Sequence, residues 1–360
     1  MKQSKISISV PGRICLFGEH QDFLGLSVIA MAIDLRMSFV AKPRQDIIMH
    51  ILMPDINEEI KINPHDEIRY EKKRDYLCSV INVLKRRGVK FNNGCDITIT
   101  SRIPVNAGVS SSSAMVIGWV KLLLELDGNP LKDDLLEIAK IGHEAEVIEF
   151  SEPGGMMDHY TCSLGGLLYI DCAEPITVEP LSPDITGFVL CNSRGKKDTA
   201  DILRKSKEGY RSGEEHLRKE FPDFSLKKTP VEIVARYLEK LTEREKGMVY
   251  ANLVNRDICQ EARHAISNKD FSQIGMLLDK HHKMLRDNLG ISTPKIEAMI
   301  AAAKDAGAQG CKINGSGGGG TMIAYAPGHE EDVAEALRRL GADAYVVKKA
   351  DGVRVEIGVN

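Results

Sequence analysis

The segment Pro104-Val-Asn-Ala-Gly-Val-Ser-Ser-Ser-Ser-Ala114 runs directly into an apolar stretch. Gly and Ser leave the backbone free to wrap an anion. A helix starting there offers unpaired N–H groups and the positive end of its dipole. Serine hydroxyls can bond phosphate or ligate Mg²⁺. The same residues also fit a serine-capped helix start with flexible neighbours. No Gly-x-x-x-x-Gly-Lys-Ser/Thr occurs, which excludes an ordinary P-loop. A second segment, Gly315-Ser-Gly-Gly-Gly-Gly320, formally satisfies Gly-x-Gly-x-x-Gly. That dinucleotide fingerprint must open a helix, whereas residues 321–326 read as a strand. The other reading is a loop whose backbone packs tightly on another loop or a phosphate.

Carboxylates supply the remaining chemistry. Gly12 to Asp22 crowds Arg13, Glu19, His20 and Asp22 into a segment otherwise fit for a core. These side chains could bind the hydroxyls of a polar substrate, or they could line a solvated turn. Asp158 lies between Met157 and a stretch rich in Cys, Leu and Gly. Burying it is costly unless it is paired, and Arg13 is an available cation; capping a surface helix is the alternative. At helical spacing Glu146 continues the face of Leu135, Ile138, Ala139 and Gly142. An acid there needs a counter-charge, which a metal ion would supply. Glu149 falls near the same face, so periodicity does not choose between the two acids. His143-Glu144 would need a second His at 147 for a zinc-protease motif, and Val147 stands there. His281-His282 has no Cys or acid pattern around it, and no serine-hydrolase elbow is present.

These groups need elements to hold them. Residues 5–10, 96–100 and 165–171 read as strands, and 28–42 as one or two more. Residues 114–126 form an apolar helix ended by Gly128 and Pro130, and 133–149 a second helix. The charged stretch 197–220 is helical in propensity, and 231–289 reads as two or three amphipathic helices. Residues 320–326 form a strand, 330–340 a helix, and 344–359 two strands joined as a hairpin at Asp351-Gly352. The chain of 360 residues is long enough for two domains, and the change of texture places them at 1–180 and 181–360.

Composition narrows the class. A net charge of −3 and 5% aromatic residues argue against nucleic acid as a partner. No apolar stretch approaches the ~20 residues of a membrane span, and Met1 to Arg13 has no secretory h-region. The 8 Cys form no Cys-x-x-Cys pair, which suits reduced thiols. The expectation is a cytoplasmic protein without membrane association or an evident protein partner.

Taken in this order, the segments resemble the GHMP kinase family and, within it, the galactokinase branch. Residues 12–22 resemble Gly-Arg-x-Asn-Leu-Ile-Gly-Glu-His-x-Asp-Tyr. Residues 104–114 resemble the phosphate loop Pro-x-x-x-Gly-Leu-Ser-Ser-Ser-Ala, 312–320 the late glycine-rich motif, and 154–158 the galactokinase Cys-Gly-Ile-Met-Asp. The resemblance implies an α+β, two-domain GHMP kinase fold. Its N-terminal domain would be ribosomal-protein-S5-like and its C-terminal domain ferredoxin-like. It implies ATP and Mg²⁺ as co-substrate and cofactor, and a small-molecule sugar as acceptor, phosphorylated at the C1 hydroxyl of galactose or a related aldose.

Roles follow residue by residue. Asp158 and Arg13 match the catalytic pair, and Ser112 and Glu146 the Mg²⁺ ligands. Glu19, His20 and Asp22 match the sugar-binding triad. Gly108, Val109, Ser110, Ser111, Ser112, Ser113 and Ala114 match the ATP-binding loop. Departures fall around the sugar: Phe23 replaces Tyr, Leu24-Gly25-Leu26 replaces Asn-Gly-Gly, and Cys15 replaces Asn. Another aldose or a uronic acid therefore stays open. So does a non-catalytic ATP- and sugar-binding regulator, although Arg13, Ser112, Glu146 and Asp158 are all present. A mevalonate-type acceptor is disfavoured, because it gives the Glu-His-x-Asp cluster no purpose.

Overall fold

Apolar residues at alternate positions make residues 6–10 a strand, and β1 (Ile6–Phe17) carries on through Arg13 well past them. The computed structural model describes residues 5–105, 107–195 and 198–356. After a turn, β2 (Val28–Pro43) returns antiparallel along β1 as one unbroken strand. There follow the hairpin of β3 (Met49–Met53) and β4 (Glu58–Ile62), then α1 (Tyr76–Arg86), β5 (Cys95–Ser101) and α2 (Ser111–Asp127). Next come α3 (Leu135–His143), α4 (Met157–Leu164), β6 (Leu167–Asp171) and β7 (Thr177–Pro180).

With β8 (Phe188–Asn192) a second sheet begins. A run of helices follows: α5 (Thr199–Glu220), α6 (Val231–Leu238), α7 (Glu243–Ser267), α8 (Ile274–Asp287) and α9 (Pro294–Asp305). The chain ends with β9 (Gly310–Asn314), β10 (Thr321–Tyr325), α10 (Glu330–Arg339), β11 (Asp343–Val347) and β12 (Arg354–Val355).

The first sheet runs β12-β1-β2-β5-β3-β4, with β6 and β7 branching from β2. Only the β3–β5 pairing is parallel. The second sheet runs β11-β8-β10-β9 and is antiparallel throughout, the order of a ferredoxin-like βαββαβ unit. The expected α+β architecture, with a ferredoxin-like second sheet, is the one observed. The chain leaves the first sheet after Pro180, enters the second at Phe188, and returns to the first at Arg354.

Between Ser113 and Leu124 helix α2 is almost entirely buried and so almost entirely apolar, Lys121 excepted, which pairs with Glu125. It packs on β1, β2, α1, α3 and α4. A Cβ at Gly118 would lie 2.2 Å from the Phe39 ring, so only glycine lets the helix sit this close to the sheet. One apolar core runs through Ile8, Val10 and Phe39 of the first sheet to Ile258 and Ala262 of α7 and Leu277 of α8. Among the described residues no helix is long and apolar enough to cross a membrane.

Two expectations are corrected. Residues 344–356 are not a hairpin, and 357–359 lie outside the described residues: β11 pairs with β8 in the second sheet, and β12 pairs with β1 in the first. The Asp351-Gly352 signal marks a crossing, where Asp351 bridges Gly165 and a Cβ on Gly352 would lie 2.1 Å from the Ser163 carbonyl oxygen. Residues 133–149 are not one regular helix either. Asp134 caps α3 by accepting the Glu137 N–H at 3.0 Å, and the helix then widens into a π-turn over Glu144–Ile148.

Candidate active site

The phosphate-loop segment and β1 are held together at their backbones. A Cβ at Gly12 would lie 3.0 Å from the Val109 carbonyl oxygen, and the Arg13 N–H donates to that oxygen at 3.3 Å. The Arg13 guanidinium is buried between two elements. Its Nη1 donates to the Gly108 carbonyl at 2.6 Å, and its Nε and Nη2 each lie 2.7 Å from Asp158 Oδ1, at the start of α4. The ion pair that the sequence suggested for Asp158 is thus present. Burial opposes the guanidinium charge, but the Asp158 and Glu19 carboxylates outweigh it and raise the Arg13 pKa above its ordinary value.

Helix α2 begins without a side-chain cap. Ser110 takes a left-handed conformation at φ 62°, and its buried Oγ has no hydrogen-bond partner among the described residues. The first-turn N–H groups have no intrahelical acceptors. This orphaned hydroxyl and uncapped turn suit a polyphosphate. The side chains of Val109 and Ala114 point into the core instead.

Glu146 comes from the π-turn and lines the same cleft. Burial would raise its pKa. Hydrogen bonds from His159, at 2.8 Å, and from the Ser112 and Ser113 hydroxyls reverse that and hold it below the usual value. Glu149 turns away to Tyr70 and Arg86, so the geometry separates the two acids that periodicity left equivalent. Glu146 and Ser112 are oxygen donors within reach of each other. Such a pair suits Mg²⁺, which keeps most of its shell for phosphate and water. Among the described residues no cluster of three or more His, Cys, Asp or Glu could hold a metal alone.

The turn after β1 carries the remaining acids. Asp22 is 9% exposed and accepts the Phe23 N–H at 2.9 Å and the Met157 N–H at 3.4 Å. Burial, and then the nearby Asp158, push its pKa up to about 6. A Cβ on Gly155 would come within 2.2 Å of Asp22 Cγ, so glycine there makes room for the carboxylate. Glu19 is engaged at both oxygens, by Lys312 Nζ at 2.5 Å and by the Gly315 N–H at 2.8 Å. His20 Nε2 lies 3.0 Å from the Ser316 carbonyl.

The late glycine-rich segment is the hairpin loop between Asn314 and Thr321. It is therefore no dinucleotide fingerprint, but a loop packed on another loop. A Cβ on Gly315 would lie 2.6 Å from the Gly108 carbonyl oxygen. Asn314 donates to that oxygen at 2.9 Å and accepts the Cys15 N–H at 2.8 Å.

One cleft of about 300 Å³ gathers Arg13, Glu19, His20, Asp22, Gly108, Ser110 to Ser113, Glu146 and Asp158. The sequence reading missed Arg74, Tyr76, Thr199 and Leu203, which also line it. Lys312 and Asn314 beneath it fall within the 312–320 motif, but the sequence reading gave neither of them a role. Nothing in the local pattern marks Lys312 as buried. Asn314 lies inside that motif, and its place there was the available signal.

Comparison with known proteins gives the family. Residues 75–166 match the GHMP kinases N terminal domain, 262–343 the GHMP kinases C terminal model, and 2–43 the galactokinase galactose-binding signature. A mevalonate kinase of Thermococcus onnurineus is 30% identical over 366 residues, 98% of each chain. A galactokinase of Glaesserella parasuis is 30% identical over 390 residues, covering 98% of this chain and 95% of the relative. Among solved structures, Lactococcus lactis galactokinase complexed with galactose superposes with a TM-score of 0.85 at 20% identity, covering 98% and 95% of the two chains. A mevalonate kinase gives 0.73 at 22%, covering 96% and 99%. Fold and cleft together define a two-domain small-molecule phosphotransferase. The chain belongs to the GHMP kinase family. Sequence identity does not separate the two acceptor classes, so the case made above against a mevalonate-type acceptor draws no support from the relatives.

Proposed function

We propose that this protein is an ATP-dependent sugar kinase that phosphorylates the anomeric C1 hydroxyl of galactose or a related aldose. Residues 1–180 would form the ATP- and sugar-binding domain and 181–360 the C-terminal domain. The observation that carries the acceptor class is the charge pairing of the cleft. Arg13 is taken by Asp158, Arg74 by Glu152 and Lys312 by Glu19. Asp22 is left with backbone N–H partners and no ion pair among the described residues. A carboxylate with spare acceptor capacity suits the hydroxyls of a neutral polyol. A mevalonate-type acceptor brings its own carboxylate, whereas both arginines lining the cleft are already paired and the ammonium at its edge, Lys207, lies over the Phe23 ring and faces Asp22. The galactose-binding signature and the closer superposition on a galactokinase support the same reading.

In this reading Ser110 to Ser113 receive the ATP phosphates through N–H groups and hydroxyls. Ser112 and Glu146 hold Mg²⁺, which when bound would offset phosphate charge. Asp158 meets the acceptor hydroxyl and either takes its proton or orients it, and Arg13 fixes the carboxylate and the loop carbonyl together. Phosphoryl transfer depends chiefly on such positioning and charge stabilisation. Asp22 and His20 bind sugar hydroxyls. Glu19, with both oxygens engaged, braces that end of the cleft.

The second reading, a mevalonate-type hydroxy acid, rests on the 30% identity to mevalonate kinases. A coupled ADP-release assay with MgATP decides between them. Its panel holds galactose, N-acetylgalactosamine, glucose, arabinose, fucose, galacturonate, glucuronate and mevalonate. Turnover on a neutral aldose, with loss of its reducing end, is the expected result. Turnover on mevalonate alone would overturn the reading.

A further inference from the structure

Glu146 is held from behind by a side chain that the proposed reaction does not use. His159 follows Asp158 in the first turn of α4 and is 2% exposed. Its Nε2 lies 2.8 Å from Glu146 Oε2. An ionised carboxylate only accepts, so the proton of this bond sits on Nε2. Nδ1 has no partner among the described residues, so nothing competes for the opposite tautomer. Packing sets the ring. A Cβ on Gly142 would come within 3.4 Å of His159 Cδ2, and the His143 ring stands edge-on with centroids 5.4 Å apart. On its other side Glu146 meets the Ser112 and Ser113 hydroxyls.

The backbone makes this support necessary. Glu146 sits in the π-turn, where the regular helical spacing that would otherwise aim the side chain is lost. A flexible carboxylate in such a turn needs a lateral partner to stay in one rotamer. We propose that His159 is the positioning residue of the metal site: it locks Glu146 so that the carboxylate faces Ser112 and the phosphate loop. Asp158 and His159 are then neighbours on one helix with separate tasks. Helix α4 keeps the acceptor-side carboxylate and the metal-side carboxylate in a single register. This inference rests on the placement of Mg²⁺ at Ser112 and Glu146.

The test needs neither acceptor nor turnover. ADP binding is measured by calorimetry with and without Mg²⁺ for the wild type, His159→Leu, His159→Gln and Glu146→Gln, with folding checked by thermal melting. Partners that orient a metal ligand typically contribute 10–100-fold in metal affinity. His159→Leu is expected to weaken the Mg²⁺-dependent part of ADP binding by about 10-fold or more and to leave metal-free ADP binding unchanged. His159→Gln keeps an N–H donor and is expected to restore most of the loss. If Glu146→Gln abolishes the Mg²⁺ dependence while His159→Leu keeps it, the positioning role is overturned. If Glu146→Gln also keeps it, the placement of Mg²⁺ falls instead.

Discussion

On the proposed function, Asp22 should make acceptor binding depend on pH. Burial, followed by the neighbouring Asp158, raises its pKa from an ordinary 3.8 to about 6. Only the ionised carboxylate offers its full acceptor capacity to sugar hydroxyls. With that pKa the group is about 97% ionised at pH 7.5 and about 9% at pH 5. The kcat/KM for the acceptor, which reports the free enzyme, should therefore fall about tenfold between those values. The KM for MgATP should not follow it. Asp22→Asn should remove the inflection and flatten the profile. At pH 7.5 it should lower kcat/KM by about 10- to 100-fold, since hydrogen bonds to a charged group contribute about 1.5–3 kcal/mol.

The same shift sets a stability term of opposite value to function. A carboxyl whose folded pKa is raised stabilises the fold below its unfolded pKa. That contribution is lost as pH rises through the folded value near 6. A shift of about two units corresponds to about 3 kcal/mol at pH 7.5. Asp22→Asn should recover up to about that much, seen as a higher urea midpoint, while it binds the acceptor less well. A wild-type kcat/KM that stays flat from pH 7.5 to 5, or an inflection that survives in Asp22→Asn, would refute this reasoning.

Gly155→Ala would push a methyl group within 2.2 Å of Asp22 Cγ; we expect a raised acceptor KM with MgATP kinetics little changed, measured by varying each substrate in turn. Asp158→Ala should abolish turnover and leave nucleotide binding near wild type, checked by ADP calorimetry beside the coupled assay; retained turnover would remove Asp158 from the chemistry. Lys312→Met strips the partner from a Glu19 carboxylate that is 2% exposed, and breaking a buried pair costs about 3–5 kcal/mol. Urea denaturation should show that loss, and the double variant with Glu19→Gln should recover much of it.

What could be read beforehand was what short stretches of chain dictate locally. Gly and Ser ahead of an apolar run announce a helix start, either serine-capped or open to an anion, and α2 starts after Ser110 with no side-chain cap. An Asp set in an apolar stretch calls for a cation, and Arg13 is that cation for the half-buried Asp158, 145 residues away. What could not be read was the partner of each strand and charge, because pairing is decided by topology. Asp351-Gly352 carries a turn signal, yet its flanking strands belong to different sheets. Lys312 sits in a strand that looks ordinary, and its partner Glu19 lies 293 residues earlier. The glycine-rich loop shows where the two kinds of information meet. Its glycines announce close packing, and Gly315 and Gly108 both take positive φ, at 76° and 90°. Which loop it would meet followed only once β9 was laid against the start of the chain. Asn314 then bonds Cys15 on β1 and the Gly108 carbonyl together. That same carbonyl accepts from Arg13. The C-terminal sheet therefore reaches Arg13 through one backbone oxygen, and Asn314→Ala is the substitution that would loosen all three segments at once.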